Sequence, residues 1–94
     1  MKAKLKIEFD EAVRERELLI RRAISELIRR QRQKQPSILT QEKLASLADI
    51  SFEHLNHIEN HKSTASVEVL DRIARALGFH RLSEFLAHDE HEIL

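Results

Sequence analysis

The sequence has no cysteine, one glycine, one proline and four aromatic residues, all of them Phe. Without cysteine, disulfide bonds, thiolate zinc sites and thiol nucleophiles are excluded. So little glycine and proline leaves few positions for tight hairpin turns or for a glycine-rich phosphate loop. The scarcity of aromatic residues also disfavours a base-stacking platform for single-stranded nucleic acid. These deficits predict a chain built from helices.

Long hydrophobic runs are also missing. No apolar run approaches the roughly 20 residues that a membrane-spanning helix needs, and the N-terminus lacks the continuous apolar stretch of a signal peptide. The 94 residues allow one domain with a single modest core. No nucleophile, base and orienting group recur in a recognisable spacing. We therefore expect a cytoplasmic, non-enzymatic protein with no membrane contact and no cofactor.

Charge is distributed unevenly although the formal net charge is zero. Residues 1–35 carry eleven Lys or Arg against six Asp or Glu, whereas residues 36–94 carry five against ten. A nucleic-acid-binding protein needs a basic surface because phosphate contacts supply much of its affinity. In this chain such a surface would have to come mainly from the first third.

Residues 2–9 alternate polar and apolar side chains, the pattern of a short strand. A single strand in a helical protein leaves an unpaired edge, which a second copy of the same strand could pair with. Two interpretations stay open at this point: a dimerising arm, or a frayed basic tail.

Helical periodicity begins at Asp10, a plausible N-cap, and continues to about Lys34, where Pro36 prevents further helix. Two short helices follow, at about residues 41–48 and 52–60, and then helices at about 67–77 and 82–87. The predicted N-caps of the three middle helices are Thr40, Ser51 and Ser66. Gly78 is predicted to end the fourth helix. The side chains of that helix predicted to face inward are Val67, Leu70, Ile73, Ala74 and Leu77.

The two short helices are separated by a turn of three to four residues, the arrangement of a helix-turn-helix. Ala45 is small enough for the second helix to approach closely, and Leu44, Leu55 and Ile58 can supply a shared core. The outer face of residues 52–60 is then left free to enter a DNA major groove.

At these residues the chain resembles the Cro/repressor-type (XRE) helix-turn-helix family. The resemblance covers about residues 27–86, and it is carried by Leu39–Ala45, Ile50, Ser51, Leu55, Ile58–Asn60, Lys62 and Leu70–Gly78, with Ile28, Arg29 and Arg32 in the first helix. It implies an all-α, five-helix, phage-repressor-like domain, and the helical periodicity from Asp10 to about Lys34 predicts that the first helix is extended. It also implies a homodimer that binds a near-palindromic operator in double-stranded DNA.

The candidate DNA-binding residues follow from this resemblance and from side-chain chemistry. Asn56 can bond adenine or phosphate, His57 can donate to guanine, and Phe52 can contact a thymine methyl. Glu53 can only accept, as from cytosine, and Glu59 is predicted to be structural. The resemblance places Thr40 and Gln41 on phosphate and Ser51, Phe52, Glu53, Asn56 and His57 in the groove, and the candidate phosphate anchors are Arg29, Arg32 and Lys62.

Two positions depart from the family pattern in a way that affects the backbone. His61 stands where the family commonly has glycine after the recognition helix, and a left-handed conformation there would be strained. Asp49 replaces the turn glycine, although Asp tolerates that conformation better than most residues. The six histidines are interpreted as surface residues rather than metal ligands, because their number and spacing do not give a converging set.

The sequence therefore predicts three segments: an N-terminal arm and helix start over residues 1–20, a helix-turn-helix domain over 21–87, and an acidic tail over 88–94. The favoured function is a DNA-binding transcriptional regulator, either a repressor or an autoregulating antitoxin whose first 20 residues bind a toxin or another co-regulator. The alternative is a protein-interaction adaptor that keeps the scaffold without binding DNA. The acidic Glu53 and Glu59 in the recognition helix are the reason to keep that alternative.

Overall fold

The computed structural model describes residues 2–88, with side chains from residue 5 onward. This part of the chain forms five helices and no strand, which confirms the all-α, five-helix prediction. The helices are α1 (Lys2–Gln33), α2 (Gln41–Ala48), α3 (Phe52–Glu59), α4 (Val67–Ala76) and α5 (Leu82–Leu86). Most of the predicted acidic tail, residues 89–94, lies outside the described residues.

The predicted N-terminal strand is wrong, because residues 2–9 continue α1 without a break. The segment contains no glycine or proline, and its Lys, Ala, Leu and Glu residues favour helix. Leu5, Ile7 and Phe9 are all exposed, so no buried sheet face imposes a two-residue period on them. Asp10 consequently lies inside the helix and is not its N-cap.

The two halves of α1 have different surroundings. Ala23, Leu27 and Ile28 are buried against the other helices, whereas residues 5–9 and 11–19 are exposed. A helix of this length spans about 48 Å, and the molecule measures 56 × 26 × 19 Å. We call residues 5–19 the arm, since this part of α1 extends away from the packed domain.

The helix-turn-helix is formed by α2, the turn Asp49–Ser51 and α3. The hydroxyl of Thr40 accepts the Lys43 N–H at 3.1 Å, and the hydroxyl of Ser51 accepts the His54 N–H at 3.0 Å. Each cap satisfies a backbone donor at the start of a helix that otherwise has no intrahelical partner. Both predicted caps are therefore confirmed, and they fix where α2 and α3 begin.

All five helices contribute to one apolar core. Its buried members are Leu27, Ile28, Leu44, Ala45, Ala48, Leu55, Ile58, Leu70, Ile73, Ala74, Leu77 and Phe85. Ala45 and Ala48 are the small residues that allow α2 to approach its neighbours closely. Ser66 caps α4 as predicted, and Gly78 follows that helix with a left-handed φ of 98°. Val67, predicted to face inward, is exposed because it lies in the first turn of α4, beyond the edge of the core.

Candidate nucleic-acid interface

The outward face of α3 is uncovered by any part of the chain that the structure describes. Phe52 is 45% exposed, Glu53 and His57 are exposed, and Asn56 is half-buried. These four side chains lie on the side of α3 opposite Leu55 and Ile58, which are buried in the core. The structure thus brings together the residues that were predicted to face a groove, on a helix fixed by its apolar side.

The first turn of α2 adjoins this face. Thr40 is exposed beside it, and Ser51 is exposed at the N-terminus of α3. The side-chain amide of Gln41 accepts a hydrogen bond from Asn56, with 3.1 Å between Oε1 and Nδ2. This hydrogen bond orients Asn56, and sequence reasoning had treated the two residues as independent.

Glu59 forms a buried ion pair with Arg32. The carboxylate is fully buried and receives two hydrogen bonds from the guanidinium, Nε to Oε2 at 3.1 Å and Nη2 to Oε1 at 2.9 Å. Arg32 also donates to the carbonyl of Leu39 at 3.1 Å. A bidentate pair of this kind is geometrically specific. It fits the structural role predicted for Glu59.

This geometry does not fit the prediction that Arg32 anchors a phosphate. Only 16% of its side chain is exposed, and its guanidinium is committed to Glu59 and Leu39. Moving it to a phosphate would leave the buried carboxylate of Glu59 with only the more distant Arg29 guanidinium, 3.9 Å from Oε1, which is costly. Arg32 instead positions the C-terminal end of α3 against α1.

Arg29 and Lys62 remain accessible on the same side of the domain. The guanidinium of Arg29 donates to the backbone carbonyl of Glu59, and 42% of its side chain stays exposed. Lys62 is exposed in the loop directly after α3. Both cations therefore flank the C-terminal end of α3, where a DNA backbone would lie if α3 entered a groove.

Positive charge on this surface comes from the residues around α3 and not from α3 itself. The helix has no Lys or Arg, and Glu53 lies in its first turn. A carboxylate there stabilises the helix N-terminus but repels phosphate. Lys43 is a further exposed cation, but it lies on α2 about 200° around that helix from Gln41, the residue that contacts Asn56.

Ser25 is a second residue that sequence reasoning missed. It is almost fully buried on α1, and its hydroxyl lies within hydrogen-bond distance of the carbonyl of Ile58. Because this contact joins α1 to the last turn of α3, Ser25 acts with Arg29 and Arg32 to fix α3 in place. A small polar residue on the inward stripe of an amphipathic helix is the signal for such a contact.

The two positions that depart from the family pattern do adopt the left-handed backbone. Asp49 ends α2 with a φ of 57°, and His61 follows α3 with a φ of 63°. Non-glycine residues seldom adopt this conformation, and Asp is among the more tolerant of them. The strain at the end of α3 is therefore concentrated at His61.

A helix-turn-helix family model matches residues 28–82, which is more than half of the chain. The chain belongs to the Cro/repressor-type (XRE) helix-turn-helix family. Members of this helix-turn-helix family are DNA-binding transcription regulators, and this chain is therefore a double-stranded DNA-binding regulator of the same kind. No significant match was found among curated proteins or among solved structures.

The helix-turn-helix match begins within α1, after the arm. Residues 1–27 lie before the matched region, so the arm is an extension beyond the family's common domain. Among the described helices, none has the length and apolar character needed to cross a membrane. Within residues 2–88, no group of three or more His, Asp or Glu side chains is arranged to hold a metal ion.

Proposed function

We propose that this regulator is a repressor that binds a near-palindromic operator as a homodimer and acts in the cytoplasm. The observation that carries the proposal is the exposed polar side of α3, which is held in place by hydrogen bonds from three residues of α1. A helix of eight residues reads only a few base pairs, and two such helices related by a dyad read a palindrome. Repression requires only stable occupancy of an operator, which a domain of this size can supply.

The proposed base-reading residues are those on the outward side of α3 and at its cap. Asn56 reads adenine through its amide, and His57 and Phe52 contact neighbouring bases. Glu53 accepts from a cytosine amino group and selects against bases that offer only acceptors at that position. Ser51 contributes its hydroxyl at the N-terminus of α3.

The proposed phosphate-contacting residues lie around α3. Thr40 and Gln41 are placed at the N-terminus of α2, where backbone N–H groups and the helix dipole attract an anion. Arg29 and Lys62 supply the cationic contacts. We exclude Arg32 from this set because of its pairing with Glu59.

Selection of bound sequences from a pool of random duplexes tests the proposal directly. A regulator of this kind enriches one sequence with two inverted half-sites whose centres are about 34 Å apart, one DNA turn. The Asn56→Ala variant is the matched comparison, since it removes one base-reading amide. Enrichment of no sequence, together with a full-length folded protein, would overturn the repressor proposal and favour the protein-interaction adaptor.

The salt dependence of binding to the selected duplex provides a quantitative check. Two cations per subunit give about four phosphate contacts in a dimer, so the logarithm of the affinity should fall with the logarithm of the salt concentration with a slope of about −4. Lys62→Ala should reduce that slope by about two in the dimer, because each subunit loses one contact, whereas Lys43→Ala should leave it nearly unchanged. A slope near zero contradicts the assignment of these cations to DNA.

A further inference from the structure

Four polar residues of α1 contact successive parts of α3 and of the loop that follows it. In order toward the N-terminus they are Arg32, Arg29, Ser25 and Arg21. They are spaced by three or four residues, and this spacing places them on one face of the helix. We call these four residues the polar row. The row fastens α1 to the DNA-binding part of the domain over several helical turns.

Arg21 is the member of the polar row nearest the arm. Its Nε donates a hydrogen bond to the hydroxyl of Thr64, with 3.0 Å between the two atoms. Thr64 lies in the loop between α3 and α4, and Lys62 lies two residues earlier in the same loop. Two residues of chain span about 7 Å at most, so a fixed Thr64 restricts the position of Lys62.

We propose that Arg21 is a positioning residue for DNA binding: its hydrogen bond to Thr64 holds the loop after α3 so that Lys62 reaches a phosphate. This inference deepens the proposed function, because it rests on the phosphate contact proposed for Lys62. Arg21 lies before residues 28–82, which match the family model. The role therefore belongs to a part of α1 that extends beyond the family's common domain.

Backbone hydrogen bonds tie the first half of this loop to α3. The N–H groups of Lys62 and Ser63 both donate to the carbonyl of His57, at 2.8 and 3.3 Å. The second half of the loop meets α1 where Thr64 accepts from Arg21. The loop is thus held at two points, and Lys62 lies between them.

An open groove lies between the loop and α1 beside this hydrogen bond. It is about 300 Å³ in volume, and it is lined by Ile20 and Ile24 on one wall and by Ala65 on the other, among other residues. Because side chains do not fill this space, apolar packing alone does not fix the separation of the two walls. Arg21 and Thr64 belong to opposite walls, and the hydrogen bond between them fixes that separation.

His61 makes the position of Lys62 sensitive to the loss of this contact. Its φ of 63° is a left-handed conformation, which is unfavourable for a residue other than glycine. Such a conformation persists only where the surrounding structure holds it. When Thr64 is released from Arg21, relaxation of the His61 backbone therefore moves Lys62, the next residue in the chain.

The surroundings of Arg21 favour positioning over a direct phosphate contact. Its Nε is committed to Thr64, and the residue is half-buried. Glu17 lies one turn earlier on α1 and lines the same groove, so its negative charge repels a phosphate from this part of the helix. Lys62, in contrast, is exposed in the loop.

Thr64→Val tests the role without a change in charge, because it keeps the size of the side chain and removes the hydroxyl that accepts from Arg21. With the selected duplex, the slope of log affinity against log salt concentration should become shallower by about one to two. Since the substitution is neutral, a shallower slope means that a cation has left a phosphate. Ser63→Ala is the matched control, as it removes the neighbouring hydroxyl and leaves the hydrogen bond from Arg21 in place.

The stability of these variants is measured alongside their DNA binding. The hydrogen bond between Arg21 and Thr64 is exposed, so Thr64→Val and Ser63→Ala should both keep the helical circular-dichroism signal and a thermal midpoint close to that of the wild type. A slope that Thr64→Val leaves unchanged, or that Ser63→Ala reduces equally, overturns the inference.

Arg21→Ala combined with Lys62→Ala separates positioning from a direct contact. If Arg21 acts through Lys62, the double variant has the same slope as Lys62→Ala alone. If Arg21 itself contacts a phosphate, the slope of the double variant is shallower by about two more, and the positioning role is overturned. Arg14→Ala removes the same charge two turns earlier on α1 and should leave the wild-type slope unchanged.

Failure of the positioning role and failure of the proposed function give different results. If only the positioning role is wrong, Lys62→Ala makes the slope shallower and Thr64→Val does not. If the proposed phosphate contact is wrong, Lys62→Ala itself leaves the slope unchanged, and both proposals are overturned. If both proposals hold, Lys62→Ala and Thr64→Val change the slope in the same direction, whereas Ser63→Ala and Arg14→Ala do not.

Discussion

The side-chain amide of Asn56 donates to the side-chain amide of Gln41 across the helix-turn-helix, with 3.1 Å between the two atoms. One residue lies on the recognition helix and the other at the first position of α2. A bond between them links the proposed base contact to the proposed phosphate contact. The two residues should therefore behave as a unit in DNA binding.

Asn56→Ala should relax base preference at one position of each half-site, at a cost of about 1–3 kcal/mol for the preferred base. Gln41→Ala should weaken binding to all sequences and should also reduce preference at the Asn56 position, because Asn56 loses its orienting partner. The measurement is duplex affinity for the selected site and for its single-base variants.

A double-mutant cycle separates this coupling from two independent contacts. Residues in one hydrogen-bond network couple by about 0.5–3 kcal/mol, so the Gln41→Ala/Asn56→Ala protein should lose less affinity than the two single losses added. Lys62→Ala combined with Asn56→Ala is the control, and its losses should add. Additive losses in the Gln41 cycle would show that the hydrogen bond has no role in recognition.

Removal of Arg32 should strongly destabilise the fold. Arg32→Ala leaves the fully buried Glu59 carboxylate without its bidentate partner, and breaking a buried pair from one side costs about 3–5 kcal/mol. The exposed pair of Arg75 with Asp71 on α4 serves as the control. Arg75→Ala should cost less than about 1 kcal/mol, as exposed pairs contribute little. Urea unfolding followed by circular dichroism measures both, and equal midpoints for the two variants would refute the structural role of Arg32.

Replacement of His61 by glycine should stabilise the protein. His61 has a φ of 63°, and a left-handed backbone costs a non-glycine residue about 1–2 kcal/mol. After the entropic cost of an added glycine, a gain of about 0.5–1 kcal/mol remains, which raises the thermal midpoint by several degrees. Asp49→Gly should gain less, since Asp tolerates this conformation better. A lower midpoint for His61→Gly contradicts the predicted strain.

Local features of the fold could be predicted from the sequence because they depend on neighbouring residues. Thr40 and Ser51 cap helices three residues before the N–H groups that they accept, so their roles are visible in the chain itself. The spacing of Leu44, Leu55 and Ile58 likewise identified the buried sides of α2 and α3. Because the caps and the apolar spacing of α2 and α3 involve residues close together in the chain, the helix-turn-helix was identified correctly from the sequence.

The contacts that could not be predicted join distant parts of the chain. Arg32 and Glu59 are 27 residues apart, and several other arginines of the first helix could equally have been the partner of this carboxylate. The alternation of residues 2–9 was misread because an exposed helix places no constraint on which of its side chains are apolar. Only the absence of a packing surface, which is a tertiary property, distinguishes that helix from a strand.

The unbroken course of α1 has a mechanical consequence. The same 32-residue helix carries the arm at one end and is fastened to the last turn of α3 by Ser25, Arg29 and Arg32 at the other. Because α1 has no glycine or proline along its length, it can move as one rigid body together with α3. A molecule that binds the arm and rotates α1 by a few degrees would therefore change the tilt of α3 relative to the duplex.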